Sequence, residues 1–350
     1  WCRHVYEKSS TSAYYRLLRE TRNPLFYAAG RTRTDRPHMM RLSSLTEGRL
    51  VLSSIVAVTL VMPDPDAVAR AYADTLEYRA VESGQVSESV ASAWAAPGFA
   101  GQPFVLMQPS SGEPVYLRLV KGTSTERPAL RTLGWNATEI LVEDPPALER
   151  RLTDSKFRVI GPPAPLDMNP AVVAMQALGP AGELFYFTRI PPGKSKFNLG
   201  SAQSFVDRVF IVVLGVHDIR RTLAFYSQTF GLAVTEPAPS RVAVLAQAWG
   251  MPADQTFPLA IVRLPERFLI EVDEYPAASE PPARGATGLP GGMAMVSFTV
   301  PALEPFESRL LAAPRTLDDA PYAGRRVGLM RGPSGELLEL IESPPARAAP

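Results

Sequence analysis

The sequence predicts an α+β protein in which a unit of one strand, one helix and about three further strands occurs four times. Residues 64–81 recur as residues 218–235, with Asp, Tyr and Thr at matching places 154 residues apart. Residues 179–187 recur as residues 332–340, at a spacing of 153 residues. Two unrelated motifs that keep nearly one offset indicate that the chain contains an internal duplication.

Each half of the chain divides again into two modules. In every module an apolar, β-rich run leads into a helix. Asp64, Asp144 and Asp218 stand where three of these helices begin, and a short acceptor side chain is the usual cap of a first helical turn. Strands bounded by glycine and proline follow the helices. The four strand–helix segments are predicted at residues 55–76, 138–152, 209–230 and 296–310.

We expect consecutive modules to share a domain. The boundaries place a first two-module domain at residues 49–192, a short polar linker at residues 193–204 and a second two-module domain at residues 205–343. Residues 1–48 lie outside the repeat and are expected to form a poorly ordered N-terminal extension. Residues 344–350 are expected to form a tail rich in proline and alanine.

The composition is that of an ordinary globular protein, with 46% hydrophobic and 20% charged residues. A net charge of +1 gives no reason to expect binding to nucleic acid or to a membrane. The first 50 residues are basic, but their Lys and Arg are scattered rather than clustered, so a nucleic-acid-binding arm is not favoured. The apolar run at residues 50–62 is better explained as a first strand than as a secretion signal. The single cysteine, Cys2, fits a reducing compartment, so we expect a cytoplasmic protein. We also expect a monomer or a homodimer.

The module order and its closing motif resemble a known superfamily. A strand, an aspartate, a helix that carries Phe-Tyr, a hydrophobic strand and a closing Gly-Pro-x-Gly-x-x-x-Glu are similar to the vicinal oxygen chelate (VOC) superfamily of glyoxalases, bleomycin-resistance proteins and extradiol dioxygenases. Residues 218–234 and 332–340 carry the strongest match. The resemblance implies two tandem domains with curved mixed sheets. It does not specify a reaction, because this fold hosts isomerases, epimerases, dioxygenases and metal-free binding proteins.

The resemblance also implies where a metal would bind, on the first and last strands of each module. In the three modules that have a helix-start aspartate, the first-strand position lies seven residues before it. The four first-strand positions hold Ala57, Ala137, Ile211 and Met295. The four last-strand positions hold Arg118, Tyr186, Glu271 and Glu339. Only His217 of the three histidines lies in a module, so a triad of two histidines and one carboxylate cannot form. We therefore expect no cofactor. A divalent metal is disfavoured, and Glu271 and Glu339 would be its ligands if one bound; Ile211 and Met295 are candidate ligand contacts.

Two pairs of side chains are candidates for the site. Glu271 and Glu339 lie on strand faces that are otherwise mostly aliphatic, so they would act in proton transfer or hold a cationic group, or else reach solvent at the strand ends. Arg118 and Tyr186 face each other across the first cleft if consecutive modules pair, and together they would hold a carboxylate or phenolate. The alternative is that Arg118 closes an interdomain salt bridge.

Three functions remain open. The favoured one is a metal-independent protein that binds a small organic molecule, because the metal positions are substituted in both domains. The second is an enzyme, a glyoxalase-like lyase, isomerase or epimerase that uses Glu271 and Glu339, whereas extradiol ring cleavage is disfavoured. The third is a degenerate duplicate with a structural or partner-binding role. The expected site is the cleft of the second domain, between Glu271 and Glu339.

A chain that begins at Arg49 is expected to melt within a few degrees of the full-length protein, because residues 1–48 lack the hydrophobic pattern of the modules. Differential scanning calorimetry of the two chains measures this. A loss of stability of several kcal/mol would show instead that the segment packs on a domain.

Overall fold

The computed structural model describes residues 52–123, 128–166, 169–195, 197–283 and 288–343. The expected N-terminal extension at residues 1–48 and the expected tail at residues 344–350 lie outside the described residues. Within the described residues, no helix is long and apolar enough to cross a membrane.

The four predicted modules are present, and the first and third each contain an additional short helix. The first module consists of β1 (Ile55–Met62), α1 (Pro65–Leu76), β2 (Arg79–Gln85), α2 (Glu88–Ala93), a 3₁₀ turn (Pro97–Phe99), β3 (Pro103–Gln108) and β4 (Tyr116–Lys121). The second consists of β5 (Gly134–Val142), α3 (Pro145–Thr153), β6 (Arg158–Leu166), β7 (Asn169–Leu178) and β8 (Leu184–Arg189). The third consists of β9 (Val206–Val216), α4 (Ile219–Phe230), β10 (Ala233–Val234), β11 (Ala238–Arg241), α5 (Ala243–Ala248), β12 (Thr256–Arg263) and β13 (Leu269–Glu274). The fourth consists of β14 (Gly292–Val300), a 3₁₀ helix (Glu304–Arg309), β15 (Arg315–Leu317), β16 (Arg325–Arg331) and β17 (Leu337–Glu342).

The outer two modules of the sequence pair with each other, and so do the inner two. The first and fourth modules form an eight-stranded sheet in the order β15-β16-β17-β14-β1-β4-β3-β2. The second and third form a nine-stranded sheet in the order β10-β12-β13-β9-β5-β8-β7-β6, with β11 paired to β12. The expectation that the first module shares a sheet with the second, and the third with the fourth, is therefore wrong. The repeat spacing shows which modules are equivalent, but it carries no information about which of them pair.

Each sheet is built outward from two first strands that run antiparallel at its centre. β1 pairs with β14, and β5 pairs with β9. Within each module the first strand also pairs in parallel with the last, as β1 does with β4 and β9 with β13. The first strands are buried along almost their whole length, because both of their faces are covered. This explains why the sequence shows continuous apolar runs there rather than alternation.

The helix-start aspartates cap their helices as predicted. Asp64, Asp144 and Asp218 each accept a hydrogen bond from the amide three residues later, at 2.9, 3.0 and 2.9 Å respectively. The fourth module differs from the expectation, because its helix is only the short 3₁₀ segment that follows Leu303. No side chain caps that segment. The module lacks the aspartate that begins the other three helices, and its helix is correspondingly short.

The two faces of each sheet pack against different partners. The outer faces carry α1, α3 and α4, and the buried residues of these helices join one core that runs through both sheets. The inner face of the eight-stranded sheet packs a separate cluster against α2, Trp94 and Tyr322. The inner face of the nine-stranded sheet packs against α5. Since side chains alternate along a strand, the family ligand positions all lie on inner faces.

The Gly-Pro-x-Gly-Glu motif joins the two sheets. Glu183, in the turn between β7 and β8, accepts hydrogen bonds from the Tyr72 hydroxyl on α1 and from the Ala181 amide at 2.8 Å. The equivalent Glu336, in the turn between β16 and β17, accepts a hydrogen bond of 3.4 Å from the Tyr226 hydroxyl on α4. Each tyrosine belongs to a module of one sheet and each glutamate to a module of the other. The motif that repeats most closely therefore has a structural role, because it connects the two sheets.

The variant Gly179→Ala is expected to lower the free energy of unfolding by about 1–3 kcal/mol. A Cβ atom at this position would lie 2.0 Å from Glu183 Oε1, so the buried carboxyl group would have to leave its hydrogen bonds. Gly84→Ala is the control, because its Cβ makes only an ordinary contact of 3.6 Å with Phe104. Urea unfolding measures both variants, and equal stability would contradict the structural role of the motif.

Candidate functional site

The inner face of the eight-stranded sheet contains a buried ion pair. Arg118 on β4 and Glu339 on β17 form a salt bridge of 2.8 Å, and their side chains are 3% and 0% exposed. Thr59 on β1 accepts a hydrogen bond of 3.0 Å from Arg118 Nε, and the Ser297 hydroxyl on β14 donates to Glu339. Because β1 and β14 lie between β4 and β17, the pair spans the centre of the sheet and joins the first module to the fourth.

Aromatic side chains close this face. The Trp94 indole N–H and the Tyr322 hydroxyl donate to the same Glu339 oxygen, at 2.6 and 2.7 Å. The Arg118 guanidinium lies over the Trp94 ring, 4.7 Å from its centroid. Burial opposes ionisation of Glu339, but Arg118 and the hydrogen bonds from Ser297 and Tyr322 hold its pKa below the ordinary value. The cavity beside the pair is only about 10 Å³, at the threshold for one water molecule.

The inner face of the nine-stranded sheet contains three buried carboxyl groups. Glu139 lies on β5, and Glu271 and Asp273 lie on β13; they are 7%, 4% and 0% exposed. Glu139 accepts a hydrogen bond of 2.6 Å from the Thr188 hydroxyl, and it pairs in register with Tyr186 on β8. Within the described residues, no salt bridge involves any of the three carboxyl groups. This face therefore lacks the counter-charge that the other face has.

Burial changes the ionisation of these groups. It raises the pKa of Glu139 and of Asp273 to about 7. The pKa of Glu271 is raised well above its ordinary value by burial, with further contributions from Asp273 and Glu139. Burial likewise raises the pKa of the Tyr186 hydroxyl. The carboxyl groups therefore hold protons at a pH where exposed carboxyl groups are fully ionised.

A cavity of about 110 Å³ adjoins these groups. Glu139, Tyr186 and Glu271 line it, and α5 with the residues just before it covers one side. Both carboxyl oxygens of Asp273 and the hydroxyl of Tyr186 have no hydrogen-bond partner in the described part of the chain, which is uncommon for buried polar atoms. The other residues that line the cavity are Leu166, Ala174, Gln176, Ser240, Arg241, Val242, Ala243, Val244 and Leu259.

The structure separates both pairs of side chains that the sequence placed together. Glu271 lies in the nine-stranded sheet and Glu339 in the eight-stranded sheet, so the expected cleft between them is wrong, as is any metal site built from both. Arg118 and Tyr186 also lie in different sheets. The alternative, in which Arg118 closes a salt bridge between the two halves of the chain, is the arrangement observed. The pairing of the first module with the fourth, and of the second with the third, explains all of these differences.

The remaining candidate residues lie outside the lining of the cavity. Met295 is buried beside Thr59 in the eight-stranded sheet, and Ile211 is buried beside Glu139 in the nine-stranded sheet. Neither is among the residues that line the cavity of about 110 Å³. His217 is exposed in the bend before α4, as expected for a turn residue.

Glu139 and Asp273 are functional candidates that comparison of single ligand positions does not find. Each lies two residues beyond a family position, Ala137 and Glu271 respectively, and therefore on the same strand face. The available signal in the sequence is a carboxyl group two residues after a ligand position of the family, within a predicted strand. That signal becomes specific only when the inner face is known.

Comparison with solved structures identifies the fold. Glyoxalase I from Zea mays is similar with a TM-score of 0.55 at 13% identity, over 82% of this chain and 92% of that chain. A candidate dioxygenase from Bacillus subtilis is similar with a TM-score of 0.56 at 13% identity, over 84% of this chain and 86% of that chain. The chain has the vicinal-oxygen-chelate fold. No protein-family model matches the sequence, and no curated protein sequence matches it.

Some proteins of this fold hold a divalent metal at these strand positions, and the residues present here do not fit one. In the nine-stranded sheet the four ligand positions hold Ala137, Ile211, Tyr186 and Glu271. In the eight-stranded sheet they hold Ala57, Met295, Arg118 and Glu339. The first-strand positions therefore offer no nitrogen or oxygen, and one last-strand position carries a guanidinium cation. Among the described residues, no group of three or more His, Cys, Asp or Glu side chains could hold a metal ion.

Arg118→Met is expected to destabilise the protein by about 3–5 kcal/mol, because it leaves the Glu339 carboxylate buried without a cation. The double variant Arg118→Met/Glu339→Leu should recover most of this loss, since it removes both charges. Arg220→Met is the control, because the Arg220–Glu236 pair is 77% and 90% exposed. Urea unfolding near neutral pH measures all three. A double variant no more stable than Arg118→Met would contradict the assigned role.

Proposed function

We propose that this protein binds a small organic molecule in the cavity of the nine-stranded sheet, without a histidine-based metal site. The observation that carries the proposal is the Tyr186 hydroxyl, which borders the cavity, is 8% exposed as a residue and has no partner among the described residues. An unpaired buried polar group costs roughly 1–3 kcal/mol. A bound molecule that hydrogen-bonds to this hydroxyl would offset that cost.

The structure of the eight-stranded sheet supports a different role for that sheet. There the Arg118–Glu339 pair and the Trp94 and Tyr322 side chains occupy the inner face and leave about 10 Å³. We therefore assign the degenerate, structural role to this sheet alone. Ligand binding falls to the sheet whose polar groups are unsatisfied and whose cavity is about ten times larger.

A second candidate function is proton-transfer catalysis in the same cavity. Burial raises the pKa of Glu139 to about 7, which is near the value at which one carboxyl group both accepts and donates a proton at neutral pH. Glu271 would be its partner, whereas Glu339 is held ionised by Arg118 and cannot take that role. The reaction class would be that of a lyase or isomerase that moves a proton, rather than extradiol ring cleavage.

A fragment library that contains neutral, anionic and cationic molecules tests the binding function. We expect fragments detected by ligand-observed NMR to bind wild-type protein and to lose binding in Ala174→Trp, which fills the cavity. Gln176→Trp fills the same cavity and serves if the first variant folds poorly. Val81→Trp, at a side chain that is 47% exposed on β2, is the control and should retain binding. Fragment binding that neither cavity variant reduces would contradict the proposal.

A further inference from the structure

The buried ionisable groups in and beside the cavity of the nine-stranded sheet are mainly carboxyl groups. Glu139 and Glu271 line it, and Asp273 lies on the same strand face as Glu271. The basic side chain among the lining residues is Arg241, which is exposed and therefore solvated. It makes no salt bridge with the three carboxyl groups. The buried part of the cavity thus has potential negative charge that no described cation balances.

The other sheet shows how this chain neutralises a buried carboxylate when the fold alone is concerned. Glu339 receives a guanidinium at 2.8 Å and hydrogen bonds from Trp94 and Tyr322. Within the described residues, neither Glu271 nor Asp273 forms a salt bridge, and both Asp273 oxygens lack a hydrogen-bond partner, although the two residues are only 4% and 0% exposed. A cation that also donates hydrogen bonds would act on these carboxyl groups as Arg118 acts on Glu339.

In addition to the charge of the carboxyl groups, the unpaired polar atoms point to a hydrogen-bond donor. The Asp273 oxygens accept hydrogen bonds when ionised, and the Tyr186 hydroxyl oxygen accepts in either orientation of its proton. An ammonium group supplies up to three donors, has no acceptor and has a positive charge. It therefore matches the charge of Glu139 and Glu271 and the unpaired hydroxyl oxygen of Tyr186, all three of which line the cavity.

We propose that the ligand of this cavity is a small organic amine whose ammonium group binds among Glu139, Glu271 and Tyr186. This inference rests on the proposed function and specifies its ligand class. The cavity of about 110 Å³ is smaller than an engineered 150 Å³ cavity that holds benzene, so it suits a compact head group. Leu166, Val244 and Leu259 supply apolar contacts for the carbon atoms next to the nitrogen.

Amine binding should depend on pH in a defined direction. The ionisable groups that face the cavity or lie beside it are Glu139 on β5, Tyr186 on β8, Glu271 and Asp273 on β13, Tyr275 just after β13 and Arg241 at the end of β11. Alkylammonium ions keep their charge below about pH 10, as lysine does. The pKa of Glu139 and of Asp273 is about 7, so affinity should increase as the pH rises through that value. Binding near neutral pH should also release protons.

The experiment compares three probes of similar shape by isothermal titration calorimetry: propylammonium, 1-propanol and propionate. We expect propylammonium to bind at least about tenfold more tightly than 1-propanol, and propionate not to bind. Titrations in two buffers of different ionisation enthalpy should detect the released protons. Manganese chloride is titrated separately as a test for a metal site.

Variants that remove one carboxyl group at a time locate the interaction. Glu271→Gln and Glu139→Gln keep the side-chain shape of two residues that line the cavity and should each weaken propylammonium binding by about tenfold or more. Both should be at least as stable as wild type above neutral pH, because each removes a buried group that ionises at a cost, so loss of folding would not explain the result. Glu236→Gln makes the same chemical change at a side chain that is 90% exposed and should not alter binding.

The outcomes separate this inference from the function on which it rests. Equal binding of propylammonium and 1-propanol, or wild-type binding in Glu271→Gln, overturns the amine inference. Binding of 1-propanol or propionate that is lost in Ala174→Trp would preserve a ligand-binding cavity while rejecting an amine ligand. Manganese binding that displaces propylammonium and is lost in Glu271→Gln would replace the amine with a metal. Absence of binding by every probe and every library fragment would reject both proposals.

Discussion

The polar chemistry of this molecule depends on which first strands lie side by side. Antiparallel pairing of β1 with β14 and of β5 with β9 brings Arg118 to Glu339 and leaves Tyr186 with Glu271. Had the first module paired with the second and the third with the fourth, Arg118 would share a sheet with Tyr186, and Glu271 would share one with Glu339. The observed pairing satisfies one buried carboxylate completely. It also confines the unsatisfied groups to the other sheet.

The two sheets show how one fold gives two different inner faces through small changes at equivalent places. Two residues beyond the family's first-strand position, three modules have Thr59, Ser297 and Val213, and the second module has Glu139. In the eight-stranded sheet the two hydroxyl groups complete an ion pair. In the nine-stranded sheet the extra carboxyl group increases the negative character of a face that has no arginine at its centre. A closed structural face and an open polar cavity thus arise from the same backbone arrangement.

Local features of this chain can be predicted from its sequence, because the residues that determine them are close together. The caps at Asp64 and Asp218 act over a sequence separation of three residues, and the contact of Gly179 with Glu183 over a separation of four. The fold class follows from such features and their repetition. The site does not, because the partners Arg118 and Glu339 are 221 residues apart and their meeting depends on sheet pairing. Glu139 cannot be identified as a site residue from the sequence for the same reason. Its position on an inner face beside Glu271 follows only from the pairing of β5 with β9.

A raised pKa alone does not identify the site. Burial also raises the pKa of Glu183 and of Glu336 to about 7, yet each accepts hydrogen bonds from a backbone amide and from a tyrosine, and each joins the two sheets. Glu271 and Asp273 differ in that, within the described residues, no salt bridge offsets the cost of their burial. As the pH rises above the ordinary carboxyl pKa values, 4.5 for glutamate and 3.8 for aspartate, such groups favour the unfolded chain, where they ionise freely. An apolar residue such as Val213, on the neighbouring strand, avoids that cost. Polar groups that weaken the fold and border a cavity are more typical of ligand binding than of packing.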